Sequence, residues 1–171
     1  MSAQMWVRTA TEIRRQRRRK AHSCWNHLII APLWPMHGVN LGTLLRTCDA
    51  VGACMAVPRL PWVPAALQTG NTLRQPSCVH WVKGPVRWLR DQRESSDIVG
   101  VELTDESIRL ASLPPARRRT VVVLGHERTG IPPEATELLD VAVEIPMVGT
   151  GVSLNVAVAG SLVAYKLAGL V

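Results

Sequence analysis

The sequence predicts one α/β domain whose mostly parallel sheet carries helices on both faces. At 171 residues the chain is long enough to bury one core. A hydrophobic fraction of 47% argues against disorder over most of its length. Short segments that are apolar throughout alternate with helical stretches, and such strands are typical of a parallel sheet buried on both sides.

Six segments have the composition of buried strands. In chain order they are 27–33, 53–58, 78–82, 97–103, 120–125 and 141–146. Apolar residues at helical spacing predict three helices between or after them, at about 41–51, over 86–94 with Trp88 and Leu89 inward, and from about 153 to 167. The proline- and glycine-rich stretch 59–77 predicts a loop or a short irregular helix.

Most of the net charge of +7 lies in a short N-terminal segment. Residues 1–20 hold seven Lys/Arg and one acid, a balance of +6, and the other 151 residues hold 13 against 12, a balance of +1. Thr9 and Glu12 have capping-box spacing, which predicts that a helix begins there. We therefore divide the chain into a basic segment, 1–26, and a domain, 27–171. A basic helix suits a phosphate backbone, although a solvated basic tail fits the same charges.

The predicted nucleic-acid contacts are the basic side chains of this segment. They are Arg14, Arg15, Arg17, Arg18, Arg19 and Lys20. We also expect help from the basic tip of the loop 113–119. A membrane-surface helix is disfavoured because the segment lacks an apolar face.

Several classes of protein are disfavoured by what the sequence lacks. No stretch approaches the roughly 20 apolar residues that cross a bilayer, and no apolar region follows the N-terminal arginines, so we expect a cytoplasmic protein without a membrane role. The four cysteines form no C-x-x-C pair and have no histidine at zinc spacing. We predict reduced thiols and no metal.

Three polar stretches follow predicted strands, where open parallel sheets bind ligands. They are "PMHGVNLGTLLRT" after the first strand, "LGHERTGIPPE" after the fifth and "EIPMVGTGVSLNVAVAG" (144–160) at the end of the sixth. The last lacks the lysine of a triphosphate-binding loop, so a nucleotide-binding enzyme of that class is disfavoured. We expect one site built from these three loops.

Individual side chains in these stretches allow more than one role. Arg46, roughly on the helix face that carries Asn40, could hold a phosphate bidentately or pair with Asp49. Asn40 could simply cap the helix. Glu127 could accept from a ligand, brace a neighbouring loop or pair with Arg128.

In the third stretch, Ser153 is the predicted helix cap and Asn155 is expected within the first turn. The small residues after Asn155 predict that another element packs unusually close to this helix.

Taken together, the stretches closely resemble the three signature motifs of the SpoU/TrmH branch of the SPOUT RNA methyltransferases. "NLGTLLRTCDAVGA", "VVVLGHERTGIPPE" and "EIPMVGTGVSLNVAVAGSLVAYKL" occur in the family's order, and the resemblance spans residues 28–168. It implies methyl transfer from S-adenosylmethionine to a ribose 2′-hydroxyl of tRNA or rRNA. It also implies a C-terminal trefoil knot, a rare exception to ordinary chain topology, and a homodimer packed through the knot region.

The resemblance also implies site residues by position. The implied catalytic set is Arg46, Asn40, Glu127, Ser153 and Asn155, and the implied cofactor set is Leu103, Gly125, Ile145, Ser153 and Leu154. A non-catalytic RNA-binding or cofactor-binding relative is the alternative function. The presence of the whole catalytic set argues against it.

Overall fold

The computed structural model describes Thr9, Thr11, Glu12, residues 27–73 and residues 78–171. The strands are β1 Leu28–Pro32, β2 Cys54–Pro58, β3 Val79–Val82, β4 Asp97–Val101, β5 Ile108–Arg109, β6 Thr120–Leu124 and β7 Val141–Glu144. The helices are α1 Gly38–Val51, α2 Val63–Gln68, α3 Pro85–Gln92, α4 Pro133–Thr136 and α5 Val156–Leu167, with a 3-10 turn at Leu110–Ser112.

The seven strands form one sheet in the order β3-β2-β1-β6-β4-β7-β5. Each neighbouring pair in it is parallel. This confirms the α/β class and the six predicted strands. The seventh, β5, was missed because two residues with one half-buried side chain give no periodic signal.

The core has two halves because successive side chains of a strand point to opposite faces of the sheet. On one face Leu28 and Ile30 of β1 pack with α1, α2 and α5. On the other face Ile29 and Ala31 pack with Leu89 of α3 and with α4. Helices therefore cover both faces, as the apolar strands predicted.

Helix α5 packs very closely on its neighbours. A Cβ built on Gly160 would lie 2.7 Å from Leu124 Cδ1 of β6 and 2.9 Å from Leu44 Cδ2 of α1. Thr47 and Ser161 hydroxyls lie 2.7 Å apart across the same contact. The close packing that the small residues predicted is present.

Two predicted helix starts need correction. Helix α1 begins at Gly38, three residues earlier than expected. Helix α5 begins at Val156, and its cap is Asn155, not Ser153. The Asn155 Oδ1 accepts hydrogen bonds from the backbone N–H groups of Ala157 (2.8 Å) and Val158 (3.3 Å). The cap therefore lies two residues after the predicted one, so the glycine loop and Ser153 stay outside the helix.

The capping box at the N-terminal segment is formed. The Thr9 backbone N–H donates to Glu12 Oε2 at 2.8 Å, and the Glu12 N–H donates to Thr9 Oγ1 at 3.3 Å. The predicted start of a helix is confirmed at these residues. The six predicted RNA-binding side chains, from Arg14 to Lys20, lie outside the described residues.

The prediction for the cysteines is wrong in part. Cys48 and Cys78 are free thiols, but Cys54 is disulfide-bonded. The sequence showed no histidine at zinc spacing from a cysteine, but in the structure His80 Nε2 lies 3.5 Å from Cys78 Sγ. Within the described ranges, no helix has the length and apolar character needed to span a membrane.

Candidate active site

A cavity of about 1010 Å³ opens at the carboxyl ends of β4, β6 and β7. This is the edge where parallel sheets place their ligands. Its wall consists of residues 101–103, 124–131, 143–147 and 151–154, with Val156 and Ala159 of α5. Two of the three predicted loops therefore line one cavity.

All five residues of the implied cofactor set line this cavity. They are Leu103, Gly125, Ile145, Ser153 and Leu154. Leu103 is 73% exposed although it is a large apolar side chain, which suits a surface that a ligand would cover. Their contact with a cofactor remains a prediction.

The loop after β6 is a tight turn closed by backbone hydrogen bonds. His126 and Gly130 exchange backbone hydrogen bonds of 2.9 and 2.8 Å, and Gly130 has the positive φ of 70° that favours glycine. A Cβ on Gly125 would overlap the backbone of Gly130 and Ile131. The chain therefore needs glycine at position 125 to fold the turn back on itself.

Glu102 is a site residue that the sequence analysis missed. Its Oε2 accepts the Ile131 backbone N–H at 2.8 Å, and its Oε1 accepts the Leu103 N–H at 3.1 Å. It thereby ties the end of β4 to the turn after β6. Its position directly after a buried strand, at the binding edge of the sheet, was the available signal.

Glu127 joins the cavity wall to the loop after β1. Its Oε2 accepts the Met36 N–H at 2.7 Å, and its Oε1 accepts the His37 N–H at 3.1 Å and Asn40 Nδ2 at 2.9 Å. Burial alone would raise the pKa of Glu127, but these donors, with its own backbone N–H, lower it below its ordinary value. Of the three roles considered for Glu127, the structure shows that it braces the neighbouring loop.

The hydrogen bonds continue from Glu127 to helix α5. Asn40, a buried side chain, accepts Asn155 Nδ2 at 3.0 Å, and Asn155 in turn caps α5. An ionised carboxylate only accepts, so Asn40 must turn its NH₂ to Glu127 and its oxygen to Asn155. Asn155 must then turn its oxygen to the helix. One negative charge thus fixes both amide orientations.

Arg46 lies apart from these residues. It is exposed on α1 and lines a second cavity of about 250 Å³ with Thr43, Thr47, Ala50, Gly70 and Tyr165. The expected shared face with Asn40 is wrong, because six residues turn a helix by about 600° and leave the two side chains about 120° apart. Within the described ranges, Arg46 makes no ion pair with Asp49.

The structure therefore brings together Asn40, Glu127 and Asn155 of the implied catalytic set. Ser153 is exposed on the cavity wall, close in sequence to the Asn155 cap. Arg46 lies on another surface of the chain.

The chain is similar to known RNA-modifying enzymes. Residues 28–165 match the SpoU rRNA Methylase family. The tRNA (guanosine(18)-2′-O)-methyltransferase of Escherichia coli K12 is 31% identical over 132 residues, which cover 74% of this chain and 56% of that enzyme. The chain thus spans little more than half the length of that relative.

Two solved structures share the fold. The A. aeolicus TrmH/SpoU tRNA modifying enzyme has a TM-score of 0.73 and 25% identity, over 95% of this chain and 84% of that one. An AdoMet-bound rRNA methyltransferase from Sinorhizobium meliloti has a TM-score of 0.68 and 23% identity, over 87% of this chain and 58% of that one. Because the family match spans all seven strands and both cavity loops, the chain belongs to the SpoU rRNA methylase family.

Proposed function

We propose that this protein transfers a methyl group from S-adenosylmethionine to a ribose 2′-hydroxyl of tRNA or rRNA. The observation that carries the proposal is the large cavity at the carboxyl edge of the sheet, which contains the whole implied cofactor set. Family membership supports the class of reaction. A relative named as a tRNA guanosine methyltransferase makes tRNA the first substrate to test. An RNA substrate is consistent with the expected cytoplasmic location.

The cavity fits S-adenosylmethionine in its chemistry. Leu103, Ile145 and Leu154 offer apolar walls to an adenine ring, and the turn at Gly125 leaves backbone groups accessible. The lining holds three carboxylates, Glu102, Glu127 and Glu144, against one arginine, Arg128, and this negative balance suits a cationic ligand. When bound, this cofactor supplies an electrophilic methyl group on a sulfonium. The AdoMet-bound protein of the same fold supports this ligand.

Arg46 is proposed to act across a homodimer interface. Large apolar side chains are exposed on and near α5 and on α1, among them Val39, Val158 and Leu162. We propose that a second copy covers these side chains and brings its own Arg46 to the cavity, since Arg46 does not line the cavity of its own chain. We propose that the C-terminal segment forms a trefoil knot within this interface, supported by the close packing of Gly160.

Within such a site, Arg46 would position the ribose and an adjacent phosphate. A guanidinium remains protonated at neutral pH, so a role as general base is difficult. It presents several N–H donors in a fixed plane, which suits phosphate oxygens. Methyl transfer needs an aligned 2′-oxygen, so holding the sugar in place supplies much of the rate.

The basic segment 1–26 is proposed to grip the RNA together with Arg117. The neighbouring arginines are engaged elsewhere. Arg118 pairs with Asp97 at 3.4 Å, and Arg119 donates to Gln92 and Ser96 at 2.8 Å. Arg119 therefore holds α3 and β6 together, which weakens the expected role of the whole loop tip.

The test is incubation of the protein with methyl-labelled S-adenosylmethionine and bulk tRNA or rRNA, followed by mapping of the modified nucleoside. We expect a labelled 2′-O-methylribose. Arg46→Ala should abolish the label while calorimetry shows unchanged cofactor affinity. Cofactor and RNA binding without any transfer would favour the non-catalytic alternative, and a methyl group on a base would reject the ribose assignment.

A further inference from the structure

Two cysteines and a histidine converge on one face of the sheet, next to its edge strand β3. The Met55 backbone N–H donates to the Cys78 carbonyl at 2.9 Å, and Ala56 is the register partner of His80. Cys54 therefore lies beside Cys78, and His80 follows two residues later on the same face. The ligand atoms of these three residues lie within 4.8 Å of one another.

The spacing of the cluster matches a tetrahedral zinc site. Zn–S bonds of about 2.3 Å and Zn–N bonds of about 2.0–2.1 Å at the tetrahedral angle leave sulfur and nitrogen about 3.6 Å apart. Cys78 Sγ and His80 Nε2 are 3.5 Å apart. The same geometry places two sulfurs about 3.8 Å apart, within the span of the cluster.

The surroundings also suit a structural ion. Cys54 is fully buried, whereas Cys78 and His80 are half-buried. Cys54 is part of the apolar cluster that covers this face, and Cys78 packs against it. Thiolates and imidazole are soft or borderline ligands that select zinc over magnesium or calcium.

We propose that Cys54, Cys78 and His80 form a zinc site that joins β2 to the edge strand β3. Cys54 is disulfide-bonded in the structure, so zinc binds the reduced form. A thiol or phosphine reductant supplies the two electrons that open the disulfide. The Cys54 and Cys78 thiols each lose a proton to the solvent on binding, and His80 binds as the neutral imidazole.

Three described ligands leave one position of the tetrahedron. A water molecule fills it, as in other zinc sites with three protein ligands. The Cys54 sulfur thus has two alternative states: it forms a disulfide when oxidised and binds zinc when reduced. A disulfide would replace the ion under oxidising conditions.

The experiment is a cobalt titration of the untagged full chain after reduction with a phosphine under argon. Tetrahedral Co²⁺ with thiolate ligands gives a near-ultraviolet charge-transfer band and strong visible bands. We expect one Co²⁺ per chain, and loss of these bands when Zn²⁺ is added. Cys78→Ser and His80→Ala should each lower the metal affinity at least tenfold, with circular dichroism confirming that the variants are folded.

Cys48→Ser is the matched control. Cys48 is also a buried thiol, but it lies on α1, on the opposite face of the sheet. Its variant should keep the bands unchanged. Reduced wild-type protein without thiolate bands would overturn the proposal. So would Cys78→Ser or His80→Ala protein that binds Co²⁺ as tightly as the wild type, or loss of the bands in Cys48→Ser.

Discussion

Replacing Glu127 with glutamine tests whether one carboxylate holds the site together. The change keeps the size of the side chain but removes the charge and one acceptor. Glu127 accepts three hydrogen bonds on two oxygens. A glutamine oxygen can face either Met36 or the His37–Asn40 pair, and its NH₂ group then faces at least one donor on the other side.

The cost follows from these contacts. A hydrogen bond to a charged group contributes about 1.5–3 kcal/mol, and a neutral one about 1 kcal/mol. Glu127 is only partly buried, so the lower end of these values applies. About 1.5 kcal/mol for the lost Met36 bond and about 0.5 kcal/mol for each of the two weakened bonds should lower the free energy of unfolding by about 2–3 kcal/mol. Turning the Asn40 amide over does not avoid the loss, because its NH₂ would then face the NH₂ of Asn155. For a chain of this size the melting temperature should fall by roughly 4–12 °C.

Urea denaturation followed by circular dichroism measures the difference. Glu106→Gln is the matched control, because Glu106 is exposed and should change stability by less than about 0.5 kcal/mol. The donors lower the pKa of Glu127 in the folded protein. The stabilisation is therefore complete above its unfolded pKa and is lost as the pH falls through the lowered folded value. The two proteins should converge in strong acid.

A Glu127→Gln protein as stable as the Glu106→Gln control at neutral pH would refute this account of the carboxylate. A stability difference that stays constant down to strongly acidic pH would also contradict it. In that case packing of the side chain, not its charge, would hold the loop.

Three further predictions concern other parts of the site. Asn155→Ala removes the cap of α5 and leaves the Asn40 oxygen without its donor. The free energy of unfolding should therefore fall by about 1–2 kcal/mol in the same urea assay, and an unchanged urea midpoint would contradict the capping role of Asn155. Gly125→Ala should abolish S-adenosylmethionine binding in calorimetry, because the added Cβ overlaps the backbone of the turn. Gly149→Ala has open space around its Cβ and should bind normally, so equal affinities of the two variants would reject the role of Gly125. Deletion of residues 1–20 removes six of the seven net positive charges. RNA affinity should fall and depend less on salt concentration, while cofactor affinity is retained. Unchanged RNA affinity would show that the segment does not bind RNA.

The sheet could be predicted from the sequence because its strands are apolar on both sides. Runs such as 120–125 have no polar alternation, and the structure buries all of β6. The two-residue strand β5 has no such signal, since its pairing depends on β7 lying beside it. Helix starts were misplaced because several polar residues precede α5, and only tertiary structure selects Asn155 as the cap.

The site could be predicted only as far as strand ends indicate it. The edge of the sheet identified the Gly125 loop and the 151–154 loop, but the role of Glu102 depends on the turn that packs over it. The cluster of Cys54, Cys78 and His80 could not be predicted from spacing along the chain, because Cys54 and Cys78 are brought together by the pairing of β2 with β3. The position of Arg46 depends on the helix turn and, in our proposal, on a second subunit.

The strand order has a consequence for how the protein is made. Strand β6 alone connects the group β3-β2-β1 to the group β4-β7-β5. Strand β4 pairs with β6 and β7, so during synthesis it gains its first neighbour only when residues 120–124 are made and its second only with residues 141–144. Most of the chain must leave the ribosome before the two groups join, and contacts between such distant segments form slowly. Until then, both β1 and β4 expose unpaired edges to other nascent chains and to chaperones.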